Sequence, residues 1–228
     1  MCTSGQFVYF CRPRLLRQNS AKLISKKVYL VRHGQTDFNL KNIVQGSGVD
    51  TDLNEVGRRQ AAAFFQKYRH VPFDKIYTST LKRAHQSVQS FVELGIPHEE
   101  LAGLNEISWG AKEGHRVTPE EDEHYHNMLE QWRLGNTSVK IRGGESPDEV
   151  IERMRPAVDY MLSKSDEKTV LVCMHGRAMR ILLCYLLNYP LRSMDMFEHQ
   201  NLGLYLLHYT GSSFSVEKYN DIAHMRDI

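Results

Sequence analysis

The chain has 228 residues, 41% of them hydrophobic and 25% charged, ordinary globular values that exclude a disordered, collagen-like or low-complexity protein. A chain of this length buries most of its unfolded surface without disulfide or metal staples. The formal charge of +2 is unevenly spread: residues 1–27 hold Arg12, Arg14, Arg17, Lys22, Lys26 and Lys27 and no acid, leaving 23 basic against 27 acidic residues elsewhere, too acidic a body for a general nucleic-acid surface.

Residues 1–26 read as a basic leader without structure of its own. Its short apolar run, Phe7 to Cys11, precedes the charges, the wrong order for a secretory signal, while the acid-free, Arg-rich composition also fits an organellar presequence. One domain is expected over 27–228. The VYLV run at 28–31 reads as a buried strand meeting a loop at Arg32-His33-Gly34. A helix is predicted over 55–70, capped by Asn54, with Ala61, Ala62, Phe65 and Tyr68 at helical spacing. FDKIYT at 73–78 reads as a second strand, and a helix over 81–94 ends at Gly95 and Pro97.

Residues 105–145 are irregular, with one helical piece near 120–134, and read as an insertion over the domain at about 107–145. Ser146-Pro147-Asp148-Glu149 is a capping box with Pro at the first helical position, opening a helix to about 164. TVLVCMH at 169–175 is the most continuous buried strand and, like the first, ends on His-Gly before a helix, here 177–188. LGLYLLHYT and SFSVEKYN flank Gly211-Ser212 as a hairpin.

Strands alternating with helices predict a three-layer α/β/α sandwich around a mostly parallel central sheet. Ligands bind outside the carboxyl ends of the strands in such sheets, so His33 and His175 are expected to face one crevice. Cys173 and Cys184 read as buried thiols of a reducing compartment, and a cytoplasmic location is expected. The apolar runs VLVCM and ILLCYLL fall far short of a bilayer span, so no membrane partner is expected. Glu120, Glu121, Asp122, Glu123, His124 and His126 read as a solvated helix face, because His-x-His on a helix sets the rings about 200° apart, and no metal is expected.

Five ordered segments carry a family resemblance: LVRHGQTDFN at 30–39, IVQGSGVDTDLNEVGRRQA at 43–61, YTSTLKRAHQS at 77–87, LNEISWGAKEG at 104–114 and VLVCMHGRAMR at 170–180. Together they resemble the histidine phosphatase superfamily, the phosphoglycerate mutase-like proteins, over about 27–210. The resemblance implies a phosphohydrolase acting on a small phosphate monoester through a phosphohistidine, with no cofactor and no metal. It implies His33 as nucleophile, His175 as a donor to the phosphoryl oxygens and Glu106 as the acid that protonates the leaving oxygen. Arg32 and Arg83 would grip the phosphate as guanidinium forks, and Asn39 and Gln45 would add amide donors. Between flanking guanidinium charge and bound phosphate, His33 is expected to titrate near neutrality.

The alternatives are a 2,3-bisphosphoglycerate-dependent phosphoglycerate mutase and a non-catalytic homologue. Mutase-branch sequences carry an Arg-Arg pair in the insertion and Gly-Asn-Ser after the second histidine. Here the insertion has no such pair and Gly176-Arg177-Ala178 follows His175, although Arg177 is itself a possible anion contact. Of the insertion's Lys112, His115, Arg116, Arg133, Lys140 and Arg142, the sequence does not say which reach the substrate. Gly143-Gly144-Glu145-Ser146 reads either as an anion cradle or as a plain cap. Oligomeric state stays open.

Overall fold

The structure is a computed structural model that describes residues 25–116, 123–226 and 228. The leader up to residue 24, with Cys2 and Cys11, and the acidic residues 120–122 lie outside the described residues. Twelve elements follow in order: β1 (Lys26–Arg32), α1 (Asp37–Leu40), α2 (Glu55–Tyr68), β2 (Lys75–Thr78), α3 (Lys82–Glu93), β3 (His98–Glu100), α4 (Glu123–Arg133), α5 (Pro147–Ser163), β4 (Thr169–Met174), α6 (Gly176–Leu186), β5 (Leu204–Tyr209) and β6 (Phe214–Asp221).

The six strands form one mixed sheet in the order β3-β2-β4-β1-β5-β6. Its β3, β2, β4 and β1 run parallel, and the β5–β6 hairpin adds two antiparallel pairings at one side. The two-residue period of the strands divides the core. Val28, Leu30, Val170, Val172 and Tyr205 face α5 and α6, whereas Val31, Leu171, Cys173 and Ile76 face Phe64 of α2 and Val88 and Phe91 of α3. Helices therefore cover both faces, as the βα alternation predicts.

Local chemistry explains the helix starts. Asn54 caps α2 by accepting from the Gly57 N–H, and Ser146 and Glu149 form the reciprocal box at α5. Gly95, at φ 85°, follows the end of α3 in the left-handed conformation that favours glycine.

Three details differ from the sequence expectations. β1 begins at Lys26, not after it, and Lys26 is buried with its ammonium on the Lys164 carbonyl and 3.9 Å from Glu167. The buried face of α2 is Gly57, Phe64 and Tyr68, with Ala62 exposed, because the sheet lies under the Phe64 stripe. The short edge strand β3 escaped the reading, being three polar residues with no apolar period; besides the backbone ladder with β2, His98 meets the Thr78 hydroxyl and Glu99 pairs with Lys75. Among the described residues no helix is long and apolar enough to cross a membrane.

Gly34 and Gly57 meet backbone to backbone, which presses the loop after β1 onto the first turn of α2. A Cβ on Gly57 would lie 2.1 Å from the Gln35 carbonyl oxygen. Gly57→Ala should therefore lower stability by about 1–3 kcal/mol in urea unfolding, as overpacking against backbone does; an unchanged midpoint would show that the loop moves freely.

Candidate active site

The parallel register pairs Arg32 with Met174, so β1 and β4 end level, and the His33 N–H donates to the Met174 carbonyl at 2.9 Å. The two imidazoles that follow lie with ring centroids 5.1 Å apart. His33 Nδ1–H donates to the Gly34 carbonyl at 2.7 Å, since a carbonyl can only accept, and this leaves the lone pair on Nε2. His33 lines a cleft of about 200 Å³ with Arg32, Asn39, Ile43, Gln45, Glu106, Trp109, Gly176, Arg177 and His199.

Two donors in this cleft lack partners among the described residues. Gln45 Oε1 accepts from the Thr36 and Thr51 hydroxyls, and its buried Nε2 has none; the buried Nε of Arg32 has none either. Asn39 Oδ1 accepts from the Thr36 N–H and from Asn201 Nδ2. Buried donors without acceptors are costly, so a site that keeps them is shaped for an acceptor-rich, anionic ligand.

Glu106 is 6% exposed, and its carboxylate is held by three backbone N–H groups. Oε1 accepts from Ile107 and Ala178, and Oε2 from Arg177. The last two donors belong to the first turn of α6, whose dipole favours a carboxylate there. Arg153 of α5 fastens the same loop, donating to the carbonyls of Gly103, Asn105 and Glu106 while paired with Glu145. With Ser146 as a helix cap and Glu145 bound to Arg153 and the Ser108 N–H, the Gly-Gly-Glu-Ser segment serves as structure, not as an anion cradle.

Two expected site residues stand behind the cleft wall. Arg83 is fully buried and its guanidinium is spent: Nε donates to His175 Nδ1 at 3.2 Å, and the terminal nitrogens donate to the Gly46 and Val49 carbonyls. His175 is fully buried too, accepting from Arg83 and donating from Nε2 to the Ser79 hydroxyl at 2.7 Å. Conversely, the structure brings in residues the sequence reading did not assign. His199 accepts on Nδ1 from Arg32, and Asn201 donates to the His33 carbonyl and to Asn39. Both come from the segment before β5, where no spacing pattern marks them. None of the insertion's basic residues lines the cleft; Arg133 pairs with Glu130 and Asp195, and Lys140 with Glu149.

A family model described as the histidine phosphatase superfamily, branch 1, matches residues 28–222. The chain belongs to this superfamily. It is 31% identical over 212 residues to a Yersinia pestis (strain Pestoides F) protein described as a probable phosphoglycerate mutase, GpmB, the match covering 87% of this chain and 94% of that one. It is similar to the solved structure of YhfR from Bacillus stearothermophilus at 27% identity and a TM-score of 0.77, over 88% of this chain and 100% of that one. Its fold is also that of a mycobacterial glucosyl-3-phosphoglycerate phosphatase, at 24% identity and a TM-score of 0.74, over 86% and 99% of the two chains.

In this histidine phosphatase superfamily member burial dominates the electrostatics. Burial first, then Arg83 and Arg32, hold the His33 pKa well below the ordinary value; the near-neutral expectation applies to the site with phosphate bound. The sequence shows the arginines but not the burial that dominates. His175 is lowered likewise by burial and by Arg83, and His199 is lowered to about 2 by burial and by Arg32, Arg180 and Arg177. Arg32 and Arg83, lowered by burial to about 10, stay charged at neutral pH. Cys173 and Cys184 are free, buried thiols, raised by burial to about 12 and about 11. Among the described residues no group of three His, Cys, Asp or Glu side chains could hold a metal ion.

These lowered values fix a sign. Three histidines that are neutral when folded take up protons on unfolding below about pH 6.5, so stability is complete above that pH and is lost as pH falls. Each should remove up to about 1.4 kcal/mol per pH unit below pH 6.5. Urea titrations at pH 7.5, 6 and 5 should show this loss, and the Cε1–H resonance of His33 should stay flat from pH 8 to 5.5. A His33 midpoint within that range would contradict the neutral buried imidazole.

Proposed function

We propose that the protein is a phosphohydrolase that removes phosphate from a small phosphate monoester through a phosphohistidine on His33. The observation that carries this reading is the neutral, buried His33, tautomerically fixed with its Nε2 lone pair free, in a cleft where Arg32 Nε and Gln45 Nε2 have no partner among the described residues. Arg32, Asn39 and Gln45 bind the phosphoryl oxygens. His33 Nε2 attacks phosphorus, the P–O ester bond breaks, and the leaving oxygen takes a proton from Glu106 Oε2, the oxygen with one backbone donor. In the second step Glu106 removes a proton from water as its oxygen attacks phosphorus. The P–N bond breaks, inorganic phosphate leaves and neutral His33 returns.

Arg83 and His175 act from behind. Arg83 supplies positive charge beside His33 and fixes the His175 tautomer, so that His175 carries its proton on Nε2. Ser79 holds that proton until the phosphoryl group arrives to accept it. A direct phosphate contact by Arg83 requires release of a carbonyl of Gly46 or Val49. The scheme draws on protein groups alone, and a cytoplasmic enzyme with free thiols accords with it. The likeness to a phosphoglycerate mutase supports transfer to a substrate hydroxyl as the second reading.

Brief incubation with labelled substrate should trap an acid-labile, base-stable phosphoryl group, and His33→Ala should cut turnover by at least about a thousandfold. Glu106→Gln should cost about 10²- to 10⁴-fold on alkyl phosphates and far less on nitrophenyl phosphate, whose leaving group needs little protonation. Equal losses on both would remove Glu106 as the acid. Given 3-phosphoglycerate with 2,3-bisphosphoglycerate, a hydrolase releases inorganic phosphate; fast isomerisation without it would establish the mutase.

A further inference from the structure

The segment just before β5 does work that the scheme above does not use. β5 runs antiparallel to β1, with Leu204 opposite Val31, and the segment carries that pairing past the end of the ladder. The Leu202 N–H donates to the Arg32 carbonyl at 2.9 Å, and Asn201 Nδ2 donates to the His33 carbonyl at 2.8 Å. To turn back in this way the chain holds Leu202 at φ 56°, a left-handed conformation uncommon for a leucine, with its side chain fully buried. β6 fixes the segment from outside: the Gln200 N–H donates to Asn220 Oδ1 and the Glu198 N–H to the Tyr219 hydroxyl. Between these anchors the imidazole of His199 lines the cleft, and its Nδ1 accepts from Arg32 Nη1 at 3.2 Å. A guanidinium only donates, so the His199 proton sits on Nε2. The ring and the Arg32 side chain share the space over Gly176, where a Cβ would come within 2.8 Å of His199 Cε1 and 3.4 Å of Arg32 Nε.

We propose that His199 is a positioning residue: a neutral acceptor that aims the Arg32 guanidinium at the phosphoryl group and takes none of its charge. This rests on the phosphoryl-binding reading of the cleft and holds whether water or a substrate hydroxyl receives the phosphoryl group. The contrast with the neighbouring arginines carries it. Arg153 is held by Glu145, and Arg177 and Arg180 by Asp195, so each of those cations is spent on a carboxylate. Arg32 meets an imidazole instead. A carboxylate in that place would orient the fork equally well but would cancel the charge a phosphate dianion needs. The imidazole serves because it stays uncharged beside Arg32, its pKa lowered to about 2 by burial and by Arg32, Arg180 and Arg177. A ring that only filled space would account for the packing over Gly176 but not for an acceptor turned to the guanidinium.

The test measures kcat/KM for nitrophenyl phosphate and the inhibition constant of inorganic phosphate in three variants. His199→Ala should lower kcat/KM and weaken phosphate binding by about tenfold, the size of one hydrogen bond to a charged group. His199→Asn, whose amide oxygen stands where Nδ1 does, should recover both to within about threefold of the parent. His199→Asp places a carboxylate at the same reach and should bind phosphate at least about tenfold more weakly than His199→Asn. With Arg32→Ala in place no guanidinium remains to aim, and adding His199→Ala should change kcat/KM by less than about twofold. No loss in His199→Ala, equal losses in His199→Ala and His199→Asn, a loss that persists beside Arg32→Ala, or phosphate binding as tight in His199→Asp as in His199→Asn each overturns the positioning role and leaves the phosphoryl site standing. If His199→Ala does not fold, the comparison of His199→Asn with His199→Asp decides. A parent chain that neither hydrolyses nitrophenyl phosphate nor binds inorganic phosphate overturns both readings.

Discussion

The organising constraint is buried positive charge beside imidazoles that must stay neutral. Arg32 at the end of β1 and Arg83 in the first turn of α3 bracket His33, where burial and charge both oppose a second ring proton. A neutral imidazole is a nucleophile and an imidazolium is not, so in the proposed mechanism the same electrostatics that attract a phosphate dianion prepare the nitrogen that meets it. Glu106 is the acidic member of the cleft lining, and backbone N–H groups, not a cation, hold its carboxylate. Arg32 is thereby left without a carboxylate partner among the described residues.

Much of the surrounding fold exists to keep this arrangement rigid. Level strand ends fix the two histidines relative to each other, and α6 begins directly after His175 so that its first N–H groups reach Glu106. Gly176 permits that start: a Cβ there would come within 2.8 Å of the His199 ring and 3.4 Å of Arg32 Nε. Arg83, buried in the first turn of α3, reaches two loop carbonyls and the second imidazole, so one side chain ties three segments together. Glu113 does similar work at the rim, where its carboxylate accepts from the Trp109 N–H and packs against Gly46 and Gly48.

The legible parts of the sequence were those encoded by local period and local chemistry. The Ser146 box, the Asn54 cap, the apolar runs of β1 and β4 and the Gly211 hairpin depend on neighbours in sequence, and each appears where its pattern places it. Motif order also located His33, Glu106, Arg32, Asn39 and Gln45 around one cleft. Burial was not legible. Whether a guanidinium is spent on carbonyls or open to a ligand depends on loops from distant positions, which is why Arg83 and Arg32, alike as residues, differ in their surroundings. His199 and Asn201 were hidden for the same reason, because long-range contacts, not spacing, bring them to Arg32 and His33.

The stacked pair Trp109 and Trp132 has one more consequence, since these are the chain's two tryptophans. Both adjoin the Arg177 guanidinium, and Trp109 forms part of the cleft wall. All the indole emission of the protein therefore originates beside the cleft, in stacked chromophores next to a guanidinium charge. The native chain carries its own optical reporter of occupancy, readable without a label and blind to events on the far side of the sheet.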